Sequence, residues 1–243
     1  MSAIYRREML SYFTSPIGYV FSAIFFAISG FCFVNNTVAA GTTNTAYYFS
    51  TVLVFFVILI PLLTMKLMSE EKKMKTELIL MTSPVSLVGI ICAKFFAAFT
   101  IFAGTLGLSS ILNMLALSDI AKEQKYVIEN MNTSTFLGCI LGVLLIGAAF
   151  IAIGLFISSL TENQIVAAVV SIGAFALIIA SSGFADKIEN EALRVAVKWL
   201  SVMDRFTGFQ RGIFDITALI YYISVTTVFL FLTVRVYEKR RWG

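Results

Sequence analysis

The side chains able to do chemistry are few in this sequence, and their spacing does not favour catalysis. There is no histidine, which excludes imidazole metal sites and histidine acid–base chemistry. Cys32, Cys92 and Cys139 are scattered through apolar runs. They read as small buried hydrophobes rather than as disulfides or thiolate ligands, so no metal site is expected. The nearest approach to a paired-acid site is Glu70 with Glu71, but adjacent residues lie on different faces of a helix and their carboxylates do not converge. No G-x-x-x-x-G-K-[ST] stretch occurs, so the chain does not cradle nucleotide phosphates by that route. Lys94 is the one cation well inside an apolar run, and a side chain of its length can snorkel to the surface.

What must position these few groups is a membrane domain. Of 243 residues, 59% are hydrophobic and 13% charged, about half the ~25% charge of a soluble chain. Mean hydropathy is +0.91. No interval between apolar runs exceeds about thirty residues, fewer than the ~50 that a folded soluble domain needs. The expected fold is all-α and integral to the membrane: a single domain over residues 1–243 with six spans. They fall at about residues 17–34, 47–67, 87–117, 135–160, 164–184 and 217–237, each near or above the ~20 needed to cross. Helices are required because lipid satisfies no backbone polar group. The first run follows a polar stretch of about fifteen residues and is too long for a signal h-region, so a cleaved leader is not expected. The net charge of +4 is small and spread out, which argues against nucleic acid as a partner.

Alternate connections carry eleven and seven of the Lys and Arg residues. The richer side holds both termini and the loop after the second span, so both termini are expected to be cytoplasmic. Three polar segments interrupt the spans. Residues 3–13, within an N-terminal stretch of 1–15, place Tyr5, Met9, Tyr12 and Phe13 on one helical face, with Arg6 and Arg7 among the polar residues. That is an interfacial amphipathic helix along the cytoplasmic surface, or a frayed anchor that only sets topology. Residues 69–84 begin with Glu70, Glu71 and three lysines and continue through Thr76 and Glu77 to the apolar run Leu78, Ile79, Leu80, Met81. Thr82, Ser83 and Pro84 close the segment. Four consecutive apolar residues suit either a docking surface or a dip into the lipid interface. Residues 185–215 carry an apolar stripe through Val195, Trp199 and Met203, which fits an external helix at or within the membrane surface.

Four stretches in register resemble the permease subunits of type-2 ABC exporters, closest to the branch of gliding-motility-associated permeases. They are Ser15-Pro-Ile-Gly-Tyr-Val20, the 69–84 segment, Phe209-Gln-Arg-Gly-Ile-Phe-Asp215 with Tyr221 and Tyr222, and the closing Glu238-Lys-Arg-Arg-Trp242. The second is similar to a family signature of acidic and basic residues, Gly-Thr-Glu, an apolar run and a closing Pro, except that Lys75 stands where glycine is usual. The resemblance implies a half-transporter in a prokaryotic inner membrane that works by alternating access. It would pair with a second permease chain, identical or related, and with two cytoplasmic ATPase subunits holding ATP and Mg²⁺; an accessory extracytoplasmic subunit stays open. The chain itself would hold no cofactor. Glu70, Glu71, Thr76, Glu77, Leu78, Leu80, Met81, Thr82, Ser83 and Pro84 would form the ATPase-coupling helix, and the N-terminal helix would brace it. The external segment would be re-entrant and would close the path outward.

In the fifth span Ala167, Ser171, Ala174, Ile178 and Ser181 share one side, which fits a dimer or translocation face as well as internal packing. Gly138 and Gly142 in the fourth span suit ordinary helix packing. The 23 phenylalanines fit either an apolar cargo or lipid. An ion-coupled carrier or channel is the main alternative. Such proteins place ionisable groups within their spans, where burial is costly, and here nearly every charge lies at a span end.

Overall fold

The computed structural model describes residues 2–41, 44–75, 86–123, 133–185, 190–191, 194 and 201–242. Among these residues every regular element is a helix. It runs α1 (Ser2–Thr14), α2 (Pro16–Phe33) ending in a π-helical turn (Val34–Val38), α3 (Ala46–Thr64), α4 (Lys66–Lys73), α5 (Leu87–Glu123), α6 (Thr133–Leu160), α7 (Gln164–Ala185), α8 (Val202–Gln210) and α9 (Ile216–Trp242). Six stretches are long and apolar enough to cross a membrane: Pro16–Val38, Ala46–Lys73, Leu87–Ser118, Ser134–Leu160, Gln164–Gly183 and Ile216–Arg240. These are the six expected spans, with two changes. The first continues to Val38 through the π turn, and the second continues past residue 67 into its charged tail.

The first corner shows how local chemistry builds the fold. Ser15 is extended, with φ −94° and ψ 152°, and Pro16 follows at the start of α2, where its missing N–H costs nothing. Gly18 then lets α2 fold back on α1. A Cβ there would lie 2.5 Å from the Tyr12 carbonyl oxygen, closer than atoms approach.

The second span carries Pro61 within α3, and the chain turns at Met65 before α4. Helical dihedrals of −55° and −33° at Met65 keep α4 roughly in line. The first N–H groups of a helix lack intrahelical partners; here Ser158 of α6 accepts from Met68 and Ser69, both at 3.2 Å, and donates to the Met65 carbonyl at 3.1 Å.

Helix α6 is the hub, touching α3, α4, α5, α7, α8 and α9. Its glycines are the notches for that contact. A Cβ at Gly147 would sit 2.2 Å from the Phe102 ring of α5, and one at Gly154 would sit 2.4 Å from the Thr64 hydroxyl of α3. Gly138 and Gly142 receive α8, with the Phe209 carbonyl oxygen at 2.7 Å and the Phe206 ring at 2.8 Å from the Cβ positions. Internal packing is therefore what these two glycines serve.

Phenylalanine fills the interior. Twelve of the described phenylalanines are buried, so their abundance needs no apolar cargo to explain it. Phe25, Phe56 and Phe102 meet where α2, α3 and α5 converge, with centroids 5.3 to 6.5 Å apart, within the range in which tilted and edge-on rings attract.

Candidate functional site

Among the described residues, polar clusters interrupt this apolar interior at each end of the bundle. The first joins α1, α4 and α5. Lys94 is buried, its Nζ 2.9 Å from Glu71, 3.2 Å from Glu8 and 2.8 Å from the Leu67 carbonyl oxygen it donates to. Arg7 reaches the same two carboxylates, Glu8 at 2.7 Å and Glu71 at 2.8 Å. Lys94 therefore does not snorkel away to the surface, because two anions and a carbonyl compensate it where it stands. Burial alone would raise the Glu8 carboxyl, but Lys94 and Arg7 outweigh it and hold the group below the ordinary carboxylate range. The cluster borders a cavity of about 380 Å³ that also takes in Ser11, Ser15, Lys66, Glu70 and Met74.

Helix α1 turns Tyr5, Glu8, Met9 and Tyr12 towards the bundle. Tyr12 donates to the Leu63 carbonyl at 3.0 Å and Tyr5 to the Thr100 hydroxyl at 3.0 Å. Burial, with Glu8 beside it, pushes the Tyr12 phenol above its ordinary range, so it stays a donor. Phe13 departs from the expected face and is 53% exposed, as is the side chain of Arg7; Arg6 is exposed too. Glu8 takes the place expected of an apolar residue because Lys94 faces it. The signal was present in the sequence: one acid among the apolar positions of α1 and one cation inside the third span.

Glu70 and Glu71 both lie on α4, within the second membrane-crossing stretch Ala46–Lys73. Glu70 pairs with Lys66 at 3.2 Å, while Glu71 points into the cluster. Lys72 donates to the Ser159 carbonyl and stands 6.0 Å over the Tyr237 ring. The end of α9 therefore lies beside α4, as α1 does, and both chain termini are at the same end of the bundle. Lys75 follows α4 with φ 56° and donates to the Lys72 carbonyl at 3.0 Å, the left-handed closing position where glycine is the easy residue. Thr76, Glu77, Leu78, Leu80, Met81, Thr82, Ser83 and Pro84 lie outside the described residues.

At the opposite end Ser29 of α2 and Tyr48 of α3 join hydroxyls at 2.7 Å, and Ser29 also meets Ser109 of α5. Asn113 donates to Tyr48 at 2.9 Å and to Ser29 at 3.2 Å. Sequence reasoning missed this node because Ser and Tyr within spans carry no periodic signature.

Of the 185–215 segment, residues 185, 190–191, 194 and 201–215 are described; Val195 and Trp199 lie outside the described residues. Ser201 caps α8, accepting from the Asp204 N–H at 3.2 Å. Met203 is half-buried against the core, and Phe206 and Phe209 are fully buried, so α8 is inserted among the helix ends rather than resting on them. Its exit explains the Phe209–Asp215 motif. Gly212, at φ 71°, closes α8 with bonds from Gly212 to Phe209 and from Ile213 to Gly208, a paired closure that satisfies the last carbonyls. Asp215 then caps α9, accepting from Thr217 at 2.8 Å. Tyr222 donates to the Val202 carbonyl at 2.8 Å, and Arg205 lies 4.1 Å from the centre of the Tyr221 ring. The two tyrosines bind α8 to α9.

The fifth-span stripe faces inward. Ala167 and Ser171 are buried, and Ala174 and Ile178 pack on the core, with Ser181 half-buried. In this chain α7 packs against α3 and α6. Ile165, Val169 and Leu177 occupy the exposed side. Among the described residues no three His, Cys, Asp or Glu side chains converge to hold a metal.

Comparison with known proteins agrees with this architecture. The family model described as ABC-2 family transporter protein matches residues 33–237, most of the chain. Among curated proteins, none matches it.

Proposed function

The chain belongs to the ABC-2 family of transporter proteins, and from that premise we propose that it is the permease half of an ATP-driven exporter. Two cytoplasmic ATPase subunits, holding ATP and Mg²⁺, would drive it, and a second permease chain would complete the path. The membrane would be a prokaryotic inner membrane, with both termini on the ATPase side. The observation that carries this reading is α4. The second span leaves the apolar zone as a helix, is braced by α1 and Ser158, and ends at Lys73, with Lys75 closing it at the terminus-bearing end of the bundle. An ATPase would dock on Leu78, Leu80 and Met81, which follow in the sequence. Movement of the docked segment would rock the spans between inward- and outward-open states, with α8 closing the external end. An ion-coupled carrier would instead need ionisable groups at mid-depth. Lys94, the deepest of the described cations, is neutralised at the α1 end.

The test is copurification in mild detergent with the candidate ATPase. Two permease chains per two ATPase chains are expected. Leu78→Ala with Met81→Ala should weaken association at least tenfold, about 1.4 kcal/mol, since a buried interface anchor can cost ≥2 kcal/mol. Unchanged binding by a normally inserted double variant would remove the docking role.

A further inference from the structure

Glu71 precedes and Lys94 follows residues 76–85 in the sequence, and their side chains meet. From α5, Lys94 binds α4 twice, at the Glu71 carboxylate (2.9 Å) and at the Leu67 carbonyl (2.8 Å). From α1, Arg7 binds Glu71 at 2.8 Å and Glu8 binds Lys94 at 3.2 Å. Two cations and two anions balance, and each touches both opposite charges. Such a group is interdependent: removing one member leaves its partners as poorly compensated buried charge. Well-packed apolar residues often stabilise a fold equally well, so the use of charge here points to geometry more than to gross stability. The three helices have no other ionic link among the described ion pairs.

We propose that Arg7, Glu8, Glu71 and Lys94 form an ionic clamp that makes α1, α4 and the first turns of α5 a single rigid lever. With the clamp closed, force on the end of α4 moves the second and third spans together. With it open, the same force moves α4 without α5. These four are positioning residues, acting through the helices they join. The lever's use in transport rests on the coupling reading above, but its rigidity is a property of this chain alone.

The test is amide hydrogen exchange on the full chain in lipid nanodiscs, without any ATPase. Glu71→Gln and Lys94→Met should each raise exchange at least tenfold in both α1 and α4, while exchange at the Ser29–Tyr48 end stays unchanged. Arg7→Gln alters a half-exposed side chain with little risk to folding, and should loosen the same two helices at least threefold. Arg7→Lys, which keeps the charge, should stay within twofold of the native chain. Loosening confined to the substituted helix, or none, overturns the clamp, as does Arg7→Lys behaving like Arg7→Gln. Copurification separates the two readings. A chain that loosens as expected yet binds no ATPase keeps the clamp and loses its coupling role. A chain that binds ATPase without joint loosening does the reverse.

Discussion

Replacing Gly138 with alanine should separate the packing of α8 from every other property of the fourth span. The new Cβ would fall 2.7 Å from the Phe209 carbonyl oxygen and 3.6 Å from the Gly212 Cα. Ordinary contact begins near 3.4 Å, so the two backbones must part by several tenths of an ångström. The obstacle is not the end of a flexible side chain. It is the last turn of α8, held by buried Phe206 and Phe209, by the Gln210 bond to Ser50 and by the closure at Gly212. Overpacking of this kind costs ~1–3 kcal/mol. Gly173→Ala in α7 is the matched control, because its Cβ would meet nothing within 4 Å. Both substitutions gain the same ~1 kcal/mol of helix propensity, so their difference isolates the strain. Thermal unfolding in detergent should place Gly138→Ala below Gly173→Ala by ~2–12 °C, taking ~2–4 °C per kcal/mol. Limited proteolysis should cut the Gly138→Ala chain faster between α8 and α9. Equal melting temperatures would refute the reasoning, because they would mean that α8 is not seated against α6.

Three further outcomes are expected. In a background lacking Cys32, Cys92 and Cys139, single cysteines at Lys73 and Asn190 should react with impermeant reagents from opposite sides of the membrane; labelling from one side would break the six-span arrangement. The Glu8 carboxyl is held below its ordinary range, so its contribution is present above the unfolded carboxylate pKa and is lost as pH falls through the lower folded value. Melting temperature should therefore drop on acidification below the ordinary carboxylate range, and Glu8→Gln should flatten that drop. Lys75 occupies a left-handed position at φ 56°, where a β-branched side chain adds ~1–2 kcal/mol of strain. Lys75→Val should lower the melting temperature, and Lys75→Gly should leave it unchanged or raise it.

The spans were legible because a bilayer imposes one length and one polarity on every crossing, and apolar runs report both. Helix α4 was legible only in part. Hydropathy ended the second span near residue 67, yet the backbone continues as helix to Lys73 because Ser158 and Lys94 supply partners that no local pattern reveals. The inward face of α7 was ambiguous for a related reason. A stripe of small residues permits close approach but does not say whose backbone approaches, and here α3 and α6 of the same chain do. The ionic cluster was visible as separate anomalies, an acid among apolar positions in α1 and a cation inside the third span. Nothing in the linear order said that residues 8 and 94 meet. The Phe209–Asp215 stretch was recognised as a motif, and its physical content, a glycine closure followed by an aspartate cap, needed the backbone.

The distribution of these contacts bears on how the bundle can move. Helices α2, α3 and α5 converge at the Phe25–Phe56–Phe102 contact and, towards α8, at the Ser29–Tyr48–Ser109–Asn113 node. At the other end α1 and Tyr12 bind α3, and the ionic cluster binds α4 to α5. Rotation of any one of the three against the others would break contacts at two or more depths together, so they should move as a unit. By contrast, the fifth and sixth spans are each only 17% buried over their apolar cores. The fourth span touches both groups; its glycine notches at Gly147 and Gly154 meet the first, and those at Gly138 and Gly142 receive α8. Packed surfaces of this kind shift between discrete arrangements rather than deform continuously. A side chain that fills a notch against the first group, as Gly147→Ala would against Phe102, should therefore perturb a different step from one that fills the α8 notch. Cross-linking α2 to α5 near Ser29 and Ser109 should leave cycling intact, whereas cross-linking α6 to α8 near Gly142 and Phe206 should arrest it.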